Sequence, residues 1–177
     1  MSDHKTTFFV PTRPVSKLRP IAGKNKTMRT PPRMKEWKAR VAFIAEQSIT
    51  QKYDGDVLLK LLFIFDDGRW VGDIDNLAGG IMDALNGVDV VTKKAVELPT
   101  RGKLLRGQKI KGCGCIWVDD RKVMSMDADK IILNTLTDEE RLQKPFCLLK
   151  CGVIVEVSPL TREEHHERVK SFVLSVL

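Results

Sequence analysis

Residues 72–87 read GDIDNLAGGIMDALNG, and the rest of the chain is organised around this stretch. Asp73 and Asp75 stand two residues apart, where an apolar, strand-like run gives way to a helical one. In extended backbone, residues i and i+2 face the same way, so both carboxylates are expected on one side. Leu77, Ile81 and Leu85 then recur every four residues, which predicts a helix over residues 76–86. Asp75 falls at or near its start, where a short acidic side chain caps free N–H groups. Two carboxylates held close repel each other unless a cation sits between them. A hard divalent ion that prefers oxygen, Mg2+ or Mn2+, suits that place. Spacing alone leaves a second reading open, in which Asp73 precedes a cap at Asp75 and neither binds metal. An EF-hand is excluded: a loop opening at Asp73 needs an oxygen ligand fifth, glycine sixth and glutamate twelfth. The chain has Leu77, Ala78 and Ala84 there.

Residues 117–123, WVDDRKV, supply a third acidic position. Trp117, Val118 and Val123 fit a strand, in which Asp119 and Asp120 point to opposite faces, so at most one faces the first pair. The alternative is that Asp119–Asp120 is a turn.

The chain has 177 residues, enough for one domain, residues 1–177, with a proper core. No apolar run approaches a membrane span, and the N-terminal MSDHKTTFFVPTRP lacks the apolar region of a secretory signal. A soluble protein of the cytoplasm is expected, associated with a nucleoid or with a phage-infected host. Net charge is +7, unevenly spread: residues 1–40 carry eleven Lys and Arg against two acids, and residues 88–116 seven against two. The remainder, which holds the aspartates, is acidic. Basic segments flanking a carboxylate cluster suit a polyanion gripped by its phosphates around a metal centre. A basic, solvated surface is the plainer alternative.

Thr6–Val10 predicts a first strand ended by Pro11. Residues 11–33 read as a long basic loop, with Lys17, Arg19, Lys24, Lys26 and Arg29 as candidate phosphate contacts. Met34 to about Ser48 predicts a helix with Met34, Trp37, Val41, Ile44 and Ala45 on one face and Lys35, Lys38 and Arg40 on others; Trp37 is assigned to the core. Residues 56–65, DVLLKLLFIF, are apolar enough to be a buried strand or a buried helix, and the Asp66–Asp67–Gly68 turn signal favours a central strand. Residues 88–111 form a hairpin or a basic flap. Thr137 caps a short helix, Phe146–Val157 is a strand ended by Pro159, and Thr161 caps a final helix. Its apolar stripe, Val169, Phe172, Val173 and Val176, is expected to pack on something. His165 and His166 are read as surface residues. Cys113, Cys115, Cys147 and Cys151 are too few and too clustered for a disulfide framework. A four-cysteine zinc site is conceivable, but the spacings differ from common zinc knuckles, and small apolar strand residues is the reading preferred. The order of elements implies an α/β (α+β) fold, a mixed β-sheet packed against helices.

GDIDNLAGGIMDALNG followed by WVDDRKV resembles the core motif of the RusA-type Holliday junction resolvases. The matching positions are Asp73, Asp75, Asn76, Leu77, Asp83, Ala84, Leu85, Trp117, Asp119, Asp120 and Val123. A first strand, a loop with Pro and Arg (VPTRPVSKLRP) and a helix carrying Trp37 fit as well, so the likeness spans roughly residues 7–157. The resemblance implies a RusA-like fold and a homodimeric, Mg2+-dependent endonuclease that cuts four-way DNA junctions symmetrically. Asp73, Asp75 and Asp120 would hold the metal. Two departures stand out. The family's functional lysine, four residues after the second aspartate, is replaced by Gly79. A basic insertion, residues 88–116, separates the helix from WVDD. Lys93, Lys94 and Lys122 are the candidates to restore the cation. Two rival functions remain open at this point: another metal nuclease acting on flaps or single strands, since Asp120–Arg121–Lys122 echoes restriction-type nucleases, and a non-catalytic junction-binding module.

Overall fold

The apolar run over residues 57–65 is a strand, and it occupies the middle of a mixed sheet. In the computed structural model the elements follow as β1 (Thr6–Val10), β2 (Ile21–Ala22), β3 (Met28–Arg29), α1 (Pro32–Ser48), β4 (Val57–Phe65), α2 (Ile74–Leu85), β5 (Val90–Val91), β6 (Val96–Leu98), β7 (Gly102–Leu104), β8 (Lys109–Ile110), β9 (Val123–Ile132), α3 (Asp138–Leu142), β10 (Gly152–Pro159) and α4 (Arg162–Val176). The structure describes residues 4–17, 21–22, 28–29, 31–49, 53, 55–69, 71–85, 90–91, 96–98, 102–104, 109–110, 123–143 and 149–176.

The main sheet has the order β1–β10–β4–β9. β10 pairs antiparallel with both β1 and β4, whereas β4 and β9 are parallel. A parallel pair needs a crossover, and α2 lies in this one. Val57, Leu59, Leu61, Phe63 and Phe65 alternate onto one face of β4 and are all buried. α1 and α2 cover that face with Met34, Trp37, Val41 and Ala45 from one helix and Leu77, Ile81, Ala84 and Leu85 from the other. On the second face Ile64 and Leu58 are buried but Lys60 is exposed. Trp37 is 2 % exposed, so it belongs to the core as its helical phase predicts. Truncating such a side chain to alanine costs about 3–5 kcal/mol.

Several boundaries depart from the sequence reading. α2 begins at Ile74 rather than at residue 76. The basic loop 11–33 contains a two-residue antiparallel ladder, Ile21 with Arg29 and Ala22 with Met28. The described residues within 88–111 pair as the hairpin alternative expects, β5 antiparallel to β8 and β6 antiparallel to β7. β10 begins at Gly152, later than the strand pattern suggests.

The caps predicted at Thr137 and Thr161 are present. Glu140 N–H donates to Thr137 Oγ1 at 3.2 Å, and Thr137 N–H to Glu140 Oε2 at 2.8 Å. Glu164 and Thr161 repeat the arrangement at α4. The stripe of α4, however, does not pack on the rest of the described chain. Val169, Phe172 and Val173 are 48 %, 70 % and 48 % exposed. Periodicity records that a face is apolar, not which molecule covers it. α4 is tethered to β9 by Arg168 Nη2 and Asp127 Oδ1, 2.6 Å apart. His166 is exposed as expected, while His165 is half-buried. No helix among the described residues is long and apolar enough to cross a membrane.

Candidate active site

β4 ends at Phe65, and the next eight residues carry the chain to Asp73. Asp66–Arg69 is the turn its residue types predict. Asp67 organises it. Arg69 donates to both carboxylate oxygens from its backbone N–H and its guanidinium, and Arg13 Nη2 reaches Asp67 Oδ1 at 3.0 Å. These charge-assisted bonds, those of Arg69 first, hold the Asp67 carboxyl down from 3.8 to about 2. Arg13 also donates to the carbonyls of Asp67 and Arg69 and lies 5.4 Å from the Phe65 ring centroid. The loop after β1 is thereby fastened to the C-terminal end of β4. Nothing in a single sequence marked Arg13 for this task.

Two further contacts fasten the same loop to α2. A Cβ on Gly72 would stand 2.4 Å from Ser16 Cβ, so the backbones meet where only glycine fits. Lys17 N–H donates to the Asn76 carbonyl at 2.9 Å. Beyond Gly72, the Asp73 carbonyl accepts from Leu77 N–H at 3.0 Å, which makes Asp73 the residue that opens α2. Asp75 is already in the first turn. The extended geometry expected between the two aspartates is therefore absent, because the helix starts two residues early. Acidic residues are favoured in that turn by the helix dipole. Both side chains are exposed.

The glycine pair in the middle of α2 has a packing cause. A Cβ on Gly80 would lie 3.0 Å from Trp37 Cζ3, so Gly80 lets α1 close onto α2. A Cβ on Gly79 would lie 3.4 Å from Lys17 Cδ and 4.0 Å from Lys17 Nζ. The position where the resemblance expects a lysine is thus covered by the side chain of another lysine. Lys17 Nζ continues to Asp83 at 3.2 Å, and Lys38 Nζ reaches the same Oδ2 at 2.5 Å. The Lys38 side chain, off the apolar face of α1 as its phase predicts, is only 15 % exposed in this ion pair.

Of the other predicted site residues, Asp120, Lys93, Lys94, Lys122, Arg19, Lys24 and Lys26 lie outside the described residues. So do Asp119, Cys113, Cys115 and Cys147. Arg29 falls on β3. Cys151 is a free thiol whose pKa is pushed up by burial. Among the described residues, no group of three or more His, Cys, Asp and Glu side chains gathers to hold a metal. The donors at Asp73 and Asp75 are carboxylate oxygens in open solvent, which suit a hard divalent ion but complete no coordination shell. The register of the parallel pair bears on the rest of the shell. Val123, the first residue of β9, pairs with Val57, and Ile132 pairs with Phe65. β9 therefore begins at the end of β4 opposite to the Asp66–Arg69 turn.

Residues 11–93 match the family model described as Endodeoxyribonuclease RusA. The matched segment contains Asp73, Asp75 and Gly79 and ends before Trp117–Asp120. No curated protein matches the chain.

Proposed function

We propose, from the match of residues 11–93 to the RusA endodeoxyribonuclease family model, that the chain resolves four-way DNA junctions by divalent-metal-dependent phosphodiester hydrolysis. The supporting observation is the start of α2, where Asp73 and Asp75 stand exposed at the end of a helix buried along its other side. Asp73, Asp75 and Asp120 would hold the ion, Mg2+ or Mn2+. When bound, such an ion activates water and offsets charge on the leaving oxygen. The chain's own groups do the rest. The free N–H groups at the start of α2 favour an anion, here a backbone phosphate. The basic segments 1–40 and 88–116 grip neighbouring phosphates, each contact lowering log K by about 0.9 per tenfold salt.

The register of the sheet favours a site shared between two copies of the chain. Nine strand residues put Val57 about 26 Å from Phe65. Asp120 precedes Val123 by three residues, a tether of about 11 Å at most. In this reading Asp120 of one copy meets Asp73 and Asp75 of the other. β9 is the edge of the main sheet among the described residues, and α4 beside it carries uncovered Val169, Phe172 and Val173. Twofold pairing along that side would set opposite ends of the two sheets together and give two equal sites. A four-way junction with its own near-twofold axis presents two scissile phosphates to such a pair.

The test is incubation of the protein with a synthetic four-way junction, a flap and a linear duplex, with and without Mg2+, read on a strand-resolved gel. Paired nicks in the junction, abolished by chelation, are expected. Faster cutting of flaps would indicate a different nuclease. Junction binding without cutting in Mg2+ or Mn2+ would indicate a binding module.

A further inference from the structure

We propose that Lys17 is the cation that meets the scissile phosphate at the Asp73–Asp75 end of α2, with Asp83 holding its ammonium group until DNA arrives; this rests on the nuclease reading above. The placement is the first reason. Lys17 N–H is bonded to the carbonyl of Asn76, the residue after Asp75, and its side chain runs along α2 from there past Gly79 to Asp83. Asp75, Gly79 and Asp83 follow one another at spacings of four along one side of the helix, each step rising about 6 Å. The Lys17 stem crosses the middle of that row, over Gly79, and its Nζ ends at Asp83. Rotation about the side-chain bonds carries the ammonium back along the row towards Asp75, with no movement of backbone.

Charge is the second reason. Asp83 accepts from two lysines, and Lys38 is the closer and the more buried of them. Release of Lys17 leaves Asp83 paired with Lys38, so no carboxylate is stranded. Lys17 is half-exposed, and an exposed ion pair of this kind is weak. Two ammonium groups against one carboxylate leave a net positive charge at Asp83, two turns along the same side of α2 from Asp75. A phosphodiester entering at the exposed aspartates gains a cation at the point where charge builds up during hydrolysis. At Gly79 a Cβ would meet Lys17 Cδ at 3.4 Å, an ordinary contact, so the Lys17 methylenes lie on the surface that a longer side chain at that position would cover.

The experiment measures single-turnover cleavage of a four-way junction in Mg2+ at saturating protein, together with junction affinity, for the wild type, Lys17→Ala, Lys17→Arg and the double variant Lys17→Ala with Gly79→Lys. Lys17→Ala is expected to slow cleavage about 100-fold, with affinity falling less than tenfold and the melting temperature unchanged. Lys17→Arg is expected to keep a substantial share of the rate. The double variant, which returns a cation to the surface that the Lys17 stem has vacated, is expected to recover at least tenfold over Lys17→Ala. Cleavage by Lys17→Ala at the wild-type rate would overturn the proposal while leaving the nuclease reading intact. A rate loss that the double variant fails to recover would also overturn it. A wild type that does not cut removes both.

Discussion

Ser16 and Gly72 touch so closely that a Cβ on Gly72 would sit 2.4 Å from Ser16 Cβ and 2.5 Å from its Oγ. This contact presses the loop after β1 against the entrance of α2, one residue before Asp73. Gly72→Ala must displace one of the two segments. Overpacking of this sort costs about 1–3 kcal/mol. The expected result is a lower melting temperature together with roughly tenfold slower junction cleavage. Ser16→Gly in the same chain should restore part of both. A double-mutant cycle on the two positions measures the coupling, and additive effects would mean that the contact is not what matters.

Acid provides a second check, at the turn that ends β4. The Asp67 carboxyl titrates at about 2 in the folded chain, against 3.8 unperturbed, because Arg69 and Arg13 bond to its charged form. A lowered folded value means that its stabilising effect is complete above 3.8 and fades as pH falls from there towards 2. Wild type and Asp67→Asn should therefore differ in melting temperature by a constant amount from pH 5 to 7. The two should converge as pH drops below 3.8. A difference that persists unchanged at pH 2 would mean that the carboxylate charge is not the source of the effect.

The exposed face of α4 gives a prediction about assembly. Phe172 is 70 % exposed in one chain, so Phe172→Asp should alter monomer stability by no more than about 0.5 kcal/mol. If two copies meet along α4 and β9, the same substitution moves the protein to a smaller species in sedimentation. Cleavage should then fall most at low protein concentration. An unchanged sedimentation profile, whether one chain or two, would place the interface elsewhere or remove it.

What the sequence made legible, and what it hid, follows from the range of each interaction. The apolar run of β4, the core phase of Trp37 and the caps at Thr137 and Thr161 depend on residues a few positions apart, and pattern reading finds them. The aspartates were found as a pair at a helix start, but the start itself came two residues early. Just before that start Gly72 lies against Ser16, a contact between residues distant in sequence that no local pattern announces. Lys38 and Asp83 are separated by forty-five positions, and nothing local announces their ion pair. The same holds for the Lys17 stem over Gly79: a missing lysine is visible in the sequence, whereas its neighbour in space is not. The stripe on α4 is legible as an apolar face that must pack on something, but periodicity does not say on what, and among the described residues Val169, Phe172 and Val173 stay exposed.

The most direct test of a carboxylate site shared between chains is a mixing experiment. Asp75→Asn and Asp120→Asn are prepared separately, and each alone is expected to bind a four-way junction and leave it uncut in Mg2+. Mixed and allowed to exchange, they form pairs in which one site combines two altered chains' defects and the other combines Asp75 of one chain with Asp120 of its partner. The account predicts that the mixture nicks the junction on one strand. A mixture that stays inert after exchange has been verified, while the wild type cuts, would place all three carboxylates within a single chain and contradict the shared site.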